Sequence, residues 1–207
     1  MEFLDRLRAA RIVPVMVIKD VAQAVPLARA LVAGGLTMLE ITLRTDSALE
    51  AMRRIAAEVE GATVGAGTVI NPTQLAAARA AGAKFIVSPG FVESLAEAAR
   101  GEDVPLLPGV ASASDIMRGL ACGLSAFKFF PAESLGGVAS LRALSGPFPQ
   151  VRFCPTGGVT PKNLPDYLAL PNVICAGGSW MIPPDLAAAG AFERVTTMAR
   201  DAKALAA

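Results

Sequence analysis

IVPVMVIKDVAQAVPLARALVAGGLTMLEITLR, residues 12–44, contains the structural unit that recurs along this sequence. An apolar run at 13–18 is followed by the segment 21–32, which places an apolar residue on one helix face at every third or fourth position. Gly34-Gly35 is a typical helix end, and a second apolar run follows at 38–43. A strand, a helix and a second strand in this order predict two parallel strands joined by a crossover helix.

The same unit repeats to the carboxyl end of the chain. The starts of the apolar runs lie about 20 to 26 residues apart, which leaves room for one strand, one helix and two short loops. This spacing is too long for hairpins. The eight predicted strands are 13–18, 38–43, 63–67, 84–88, 105–108, 125–130, 151–155 and 173–177.

Eight strand and helix units joined by crossovers predict an α/β fold whose parallel sheet closes into a (β/α)8 TIM barrel. The alternative is an open doubly wound sheet, but no Gly-x-Gly-x-x-Gly turn follows the first strand, as it would in a dinucleotide-binding fold. We expect a single domain over residues 1–207. An extra amino-terminal helix at 2–10 is expected to plug or flank the bottom of the barrel, and the chemistry belongs at the carboxyl ends of the strands.

The composition excludes several classes of function. The 19 Lys and Arg residues nearly balance 18 Asp and Glu residues, so the chain has no basic footprint for nucleic acid. The absence of histidine excludes Ser-His-Asp and Cys-His nucleophiles and a His-based catalytic zinc site. The three cysteines fit free thiols in a reducing compartment, and no apolar stretch reaches the roughly 18 residues that span a membrane. We expect a cytoplasmic protein that binds neither nucleic acid nor membrane.

Polar side chains alternate with apolar ones in the second predicted strand, 38–43. Leu39 and Ile41 share one face, and Glu40 shares the other with Arg44 just beyond the strand. In a barrel the polar face points inward, so a carboxylate is expected inside. The alternative is that the glutamate and the arginine form an internal ion pair that only fills polar space.

Lys128 lies in the sixth predicted strand between Phe127 and Phe129, and alternation places it on the opposite face with Phe130. Burial disfavours the ammonium form, and a neutral amine is a nucleophile toward ketones. The alternative is a lysine whose stem is buried and whose head reaches solvent. If both strands face inward, Lys128 and Glu40 converge across the barrel. Schiff-base chemistry needs such a pair, because carbinolamine collapse and enamine protonation both require a proton carrier.

Glycine-rich turns follow three of the predicted strands. Cys-Pro-Thr-Gly-Gly at 154–158 and Ala-Gly-Gly-Ser at 176–179 follow the last two strands, where barrels often bind a phosphate with backbone N–H groups. Gly-Ala-Gly-Thr at 65–68 either brings the backbone close to a ligand or allows tight packing.

Five motifs, in order between Arg11 and Met181, resemble the 2-keto-3-deoxy-6-phosphogluconate (KDPG) aldolases, class I enzymes that also act on 4-hydroxy-2-oxoglutarate (KHG). The motifs are Leu-Glu-Ile-Thr-Leu-Arg-Thr at 39–45, Val-Gly-Ala-Gly-Thr-Val at 64–69, Phe-Lys-Phe-Phe-Pro-Ala at 127–132, Phe-Cys-Pro-Thr-Gly-Gly at 153–158 and Gly-Gly-Ser-Trp at 177–180. The resemblance implies reversible cleavage of KDPG to pyruvate and glyceraldehyde 3-phosphate. It also implies a homotrimer that uses no metal and no organic cofactor.

The resemblance further implies roles for individual residues. Lys128 would form the Schiff base with the C2 ketone, and Glu40 would be the general acid and base. Arg44 and Thr68 would hold the pyruvate carboxylate, with Pro89 shaping that end of the pocket. The residues implied at the phosphate and distal end of the substrate are Thr156, Gly157, Gly158, Gly178, Ser179 and Phe130.

Three other functions are compatible with these motifs. An aldolase that selects the other configuration at C4 would prefer the galactonate-derived substrate. A phosphate-binding barrel isomerase or synthase would use Lys128 and Glu40 as acid and base without a covalent adduct. A sugar-acid binding protein would use the lysine as an ion-pair anchor and would bind its ligand without turnover.

Overall fold

The computed structural model describes residues 3–206, in which strands alternate with helices. The strands are β1 (Ile12–Met16), β2 (Met38–Thr42), β3 (Thr63–Gly67), β4 (Ile86–Val87), β5 (Leu106–Leu107), β6 (Gly109–Val110), β7 (Ala126–Phe129), β8 (Arg152–Pro155) and β9 (Ala176–Gly178). The helices are α1 (Phe3–Ala10), α2 (Val21–Ala33), α3 (Ala48–Glu58), α4 (Pro72–Ala80), α5 (Glu93–Gly101), α6 (Ala113–Ala121), α7 (Gly137–Leu144), α8 (Leu164–Leu168), α9 (Pro184–Ala188) and α10 (Phe192–Leu205), with a 3₁₀ helix at Glu133–Leu135. Every predicted strand overlaps an observed one. None of the helices in the described range is long and apolar enough to cross a membrane.

All strand pairs are parallel, which confirms the predicted α/β architecture. Six strands pair in the order β5-β4-β3-β2-β1-β9, and three pair in the order β6-β7-β8. The sheet is curled, because the last strand lies beside the first and the chain after β8 approaches β9. Single bridges at Phe153–Val173 and Thr156–Gly177 make that approach.

A fully closed eight-stranded barrel is not confirmed, because the sheet is interrupted at two places. The fifth predicted strand, 105–108, is divided at Pro108 into β5, which pairs with β4, and β6, which pairs with β7. Proline has no N–H to donate to a ladder, so the pairing changes partner there. The second interruption separates β8 from β9, whose observed range Ala176–Gly178 starts later than the predicted 173–177. Its two glycines weaken a strand.

The inside of the curled sheet has its own apolar cluster at the amino ends of the strands. Leu7 of α1 is fully buried in it, and the Phe3 ring packs against Phe85 with ring centroids 5.6 Å apart. The predicted amino-terminal helix is therefore confirmed over Phe3–Ala10 and closes the bottom of the sheet, while Glu2 lies outside the described residues. The inner cluster comprises Leu7, Val13, Met38, Phe85, Val87, Leu107, Ala126, Cys154, Ile174 and Cys175.

A larger apolar cluster lies between the outer face of the sheet and the helices. Leu39 and Ile41 of β2 belong to it, as do Phe127 and Phe129 of β7. These four side chains point outward, as predicted from strand alternation. The residues between them on both strands therefore face the inside of the sheet.

Removing the plug at the bottom of the sheet should destabilise the whole fold. We expect Leu7→Ala to lower the free energy of unfolding by about 2–5 kcal/mol, because it leaves a cavity where α1 meets the inner cluster. Urea denaturation measures this change. Leu205→Ala is the matched control, since that side chain is 45% exposed and its loss should change stability by about 0.5 kcal/mol or less. Equal effects of the two substitutions would contradict a sealing role for α1.

Candidate active site

Lys128 on β7 and Glu40 on β2 meet inside the curled sheet. The lysine Nζ lies 3.2 Å from Glu40 Oε1, and each side chain is only 4% exposed. The structure thus brings together the amine and the carboxylate whose convergence follows from alternation. Nζ also lies 5.2 Å from the centroid of the Phe130 ring, so one wall of the site is aromatic. The alternative of a lysine head in solvent is wrong.

Glycines of β3 make room for the carboxylate. A Cβ on Gly67 would overlap Glu40 Oε1, and a Cβ on Gly65 would overlap the ring of Phe85. The turn at 65–68 therefore allows tight packing, which was one of its two predicted roles. Because Gly67 forms the wall behind the carboxylate, it fixes where Oε1 can lie.

The other side of the pair is built from β6 and the end of β4. Lys128 stands in register with Gly109 on β6 and with Cys154 on β8. A Cβ on Gly109 would overlap the backbone carbonyl of Pro89, which places Pro89 beside the strand next to the lysine. Pro89 therefore borders β6, the strand that pairs with β7 at Lys128.

Arg44 and Thr68 form a second contact at the open end of the site. The arginine is exposed, and its Nε donates to Thr68 Oγ1 at 2.9 Å. Thr68 has a φ of 58°, which is rare for a β-branched residue and costs about 1–3 kcal/mol. Within residues 3–206 Arg44 makes no ion pair with a carboxylate, so the alternative internal pair with Glu40 is not formed. The remaining guanidinium donors are available to an anion.

The loop after β8 presents unpaired backbone donors. Gly157 and Gly158 have φ values of 97° and 83°, in the region that favours glycine. Across the described part of the chain, the N–H groups of these two residues and of Val159 have no protein acceptor. Thr156 is buried, and its bridge to Gly177 places this loop beside the end of β9. Free N–H groups at such a turn suit an anion.

The turn after β9 lies next to that loop. A Cβ on Gly178 would overlap the Trp180 ring, so the indole covers the backbone there. Ser179 is exposed directly beyond the strand, and its carbonyl accepts from the Ile182 N–H at 2.9 Å. The predicted distal residues therefore occupy the ends of two adjacent strands, except Phe130, which follows β7.

Two residues near the glycine loop after β8 were missed by sequence reasoning. The hydroxyl of Tyr167, a fully buried side chain, donates to Glu133 Oε1. Burial and the adjacent carboxylate raise the pKa of Tyr167 well above its ordinary value. A signal was present, because Tyr167 is the only tyrosine in the chain and Glu133 directly follows the Phe-Lys-Phe-Phe-Pro-Ala motif.

Two of the three cysteines lie in the inner apolar cluster below the site. All three cysteines are free, as predicted, and Cys154 and Cys175 are buried. A hydrogen bond with Cys154 and burial raise the pKa of the Cys175 thiol, which keeps it protonated. In the part of the chain that the structure describes, no three Cys, Asp or Glu side chains are arranged to hold a metal ion.

The carboxyl ends of the strands thus hold a buried Lys–Glu pair, a free guanidinium and two glycine turns. A sequence-family model described as aldolase, KDPG and KHG aldolase, matches residues 4–198. The chain belongs to the KDPG and KHG aldolase family. Membership of this aldolase family makes the protein a carbon–carbon lyase.

Individual relatives agree with the family. The KHG/KDPG aldolase of Escherichia coli K12 is 56% identical over 191 residues, which cover 92% of this chain and 90% of that protein. The KDPG aldolase of Zymomonas mobilis ZM4, solved with 3-phosphoglycerate, is 49% identical with a TM-score of 0.92 and covers 99% of this chain and 97% of its own. The KDPG aldolase of Legionella pneumophila, solved with pyruvate as a covalent carbinolamine, is 46% identical with a TM-score of 0.93 and coverage of 96% and 97%.

The role of Gly67 in positioning the Glu40 carboxylate can be tested in this member of the KDPG and KHG aldolase family. We expect Gly67→Ala to lower kcat for aldol cleavage by about 10²-fold, because the new methyl group displaces the Glu40 carboxylate and misplacement by about 1 Å has effects of that size. Gly90→Ala is the matched control, since nothing lies within 4 Å of its added Cβ. Circular dichroism should show both variants folded. Unchanged kcat in Gly67→Ala would contradict the proposed dependence on carboxylate position.

Proposed function

We propose that this protein is a class I aldolase that reversibly cleaves KDPG to pyruvate and glyceraldehyde 3-phosphate. We further propose that it cleaves KHG to pyruvate and glyoxylate. The observation that carries the proposal is the 3.2 Å contact between Lys128 Nζ and Glu40 Oε1 in a buried site. The names of the relatives in Escherichia coli and Zymomonas mobilis support these two substrates.

The first stage forms the imine. Glu40 is placed to take a proton from Lys128, which leaves a neutral amine to attack the C2 carbonyl carbon. The resulting carbinolamine loses its hydroxyl as water when Glu40 returns a proton to that oxygen. The product is a protonated imine between Nζ and C2. The carbinolamine captured with pyruvate in the Legionella pneumophila relative supports this order.

The second stage breaks the carbon–carbon bond. Glu40 takes the proton of the C4 hydroxyl, the C3–C4 electron pair moves toward the imine, and the aldehyde leaves. That pair becomes the C2=C3 double bond, and the electron pair of the C=N bond moves onto the Lys128 nitrogen, so an enamine remains. Glu40 then protonates C3, and water releases pyruvate from the imine. The proposed chemistry needs one amine and one carboxylate, and it uses no histidine, metal or organic cofactor.

Substrate binding is assigned to the two ends of the site. In the proposal, Arg44 and Thr68 hold the pyruvate carboxylate, with the free guanidinium donors of Arg44 binding its oxygens. Pro89 borders that end. Phe130 lines the middle of the pocket beside Lys128. The phosphate and distal hydroxyls are assigned to Thr156, Gly157, Gly158, Gly178 and Ser179, and the loop after β8 presents unpaired backbone donors.

We also propose that the two parallel sheets belong to one (β/α)8 TIM barrel and a single domain over residues 1–207. Supporting this, β5 and β6 are separated only by Pro108, and two bridges link the chain around β8 and β9. We propose in addition that the protein is a homotrimer and is located in the cytoplasm. Val17, Ile70 and Val92 support an apolar subunit contact, because they are 43–55% exposed beyond the ends of β1, β3 and β4.

Covalent trapping tests the proposed function. Incubation with pyruvate and borohydride should add one reduced pyruvate to the protein, and peptide mapping should place it on Lys128. We expect Lys128→Met to lose both the adduct and aldol cleavage, because it removes the amine and keeps most of the side-chain volume. The exposed lysine in Lys84→Met provides the matched control and should leave both unchanged. A folded protein without an adduct would instead favour a non-covalent barrel enzyme or a binding protein.

The proton carrier can be tested separately. We expect Glu40→Gln to slow aldol cleavage and pyruvate C3–H exchange by about 10²- to 10⁴-fold, which is the usual effect of removing a positioned acid or base. Deuterium exchange followed by NMR measures the second reaction without an aldehyde. Glu50→Gln, on the exposed face of α3, should leave both rates unchanged. Exchange at the full rate in Glu40→Gln would show that another group moves the proton.

A further inference from the structure

The hydrogen bond between Tyr167 and Glu133 lies directly beneath the loop assigned to the phosphate. Tyr167 is in α8, and Glu133 begins the 3₁₀ helix after β7. A buried phenol usually requires an acceptor, and here the acceptor is a charged carboxylate, which makes a stronger hydrogen bond than a neutral group does. The two residues are 34 positions apart, so this bond ties α8 to the segment that follows Lys128.

The glutamate stem packs against the loop itself. A Cβ on Gly158 would lie 2.5 Å from Glu133 Cγ, and a Cβ on Gly137 would lie 2.9 Å from Glu133 Oε1. The glutamate side chain is therefore held between two glycines, with its stem against Gly158 and its carboxylate against Gly137. The Glu133 N–H also donates to the Gly157 carbonyl at 3.1 Å. Glu133 thus contacts two successive loop residues through its backbone and its side chain.

A second contact from the same helix region holds the other end of the loop. Asn163 Nδ2 donates to the Gly158 carbonyl at 3.1 Å, and Asn163 Oδ1 accepts from the Thr160 N–H at 2.7 Å. The carbonyls of Gly157 and Gly158 are consequently occupied by protein donors. With its carbonyls turned to these partners, the loop has its N–H groups free.

We propose that the Tyr167–Glu133 pair positions the loop 156–159 and thereby sets the preference for phosphorylated over unphosphorylated substrates. This inference rests on the proposed function. The pair contacts neither Lys128 nor Glu40, so its effect is confined to the distal end of the substrate. Glu133 is a positioning residue here, because its negative charge would repel a phosphate rather than bind one.

The expected effect follows from the population of the binding arrangement. Without the phenolic hydroxyl, the carboxylate loses its buried donor and turns toward solvent, because Glu133 is otherwise exposed. Gly158 then loses its contact with the Glu133 stem, and Gly157 and Gly158 allow the loop to adopt other conformations. If the loop is competent for about a tenth of the time, the apparent affinity for the phosphate falls about tenfold.

Kinetics of Tyr167→Phe on matched substrates tests this proposal. We expect KM for KDPG to rise about tenfold with kcat changed by less than about twofold, as for lost ground-state binding. KM for KHG, which has no phosphate, and the rate of pyruvate C3–H exchange should stay within about twofold. Glu133→Ala should reproduce this pattern. Glu133→Gln should keep KM for KDPG close to the wild-type value, since the amide keeps the stem and an acceptor oxygen for the phenol.

The controls separate this inference from stability and from the proposed function. Thr196→Val removes a hydroxyl that donates to the Phe192 carbonyl in α10, and it should leave all four quantities unchanged. Equal changes with KDPG and KHG, or none, in Tyr167→Phe would overturn the positioning role alone. A lower KM for KDPG in Glu133→Gln would overturn it too, because charge repulsion would then dominate. Wild-type protein that fails to cleave KDPG would overturn the proposed function instead.

Discussion

The ion pair between Lys128 and Glu40 constrains the rest of the molecule, because two charges must be removed from water and still meet a substrate. Their desolvation costs several kcal/mol for each ion and is offset only by close contact in good geometry, here 3.2 Å. The apolar cluster below, closed by Leu7 and Phe85, excludes water from one side. The open side at the carboxyl ends of the strands is left for the substrate.

Room inside the sheet comes from glycines, and two of these glycines lie at the places where the sheet is interrupted. Gly67 clears the carboxylate, Gly109 clears the end of β4, and Gly177 clears the Thr156 side chain. Glycine weakens a strand because it packs nothing and loses much conformational entropy. Gly109 follows Pro108 at one break in pairing, and Gly177 lies in the three-residue β9 beside the other, whereas Gly67 ends the fully paired β3. At these two breaks, close packing inside the sheet and weak strand pairing therefore coincide.

Sequence patterns predicted the parts of the structure that depend on local periodicity. Alternation in β2 and β7 indicated the inward direction of Glu40 and Lys128, although 88 residues separate them. The breaks in the sheet were not predictable, because they depend on which partner a short strand finds. The left-handed backbone of Thr68 was also missed, since nothing local favours it in a threonine. The Tyr167 contact depends on α8 docking, which no spacing reveals.

In the proposed function, the two ends of the substrate are assigned to different kinds of groups, and this has a consequence for specificity. The pyruvate end is assigned to two side chains, Arg44 and Thr68, which are hydrogen-bonded to each other. The aldehyde end is assigned to backbone N–H groups of the loop 156–159, which is held by contacts from the region of α8 rather than by the Lys128–Glu40 pair. Bond cleavage needs only the first end, because the electron sink forms at C2. Preference among aldehydes is therefore free to change through contacts around α8, such as Tyr167, while the amine and the carboxylate stay in place.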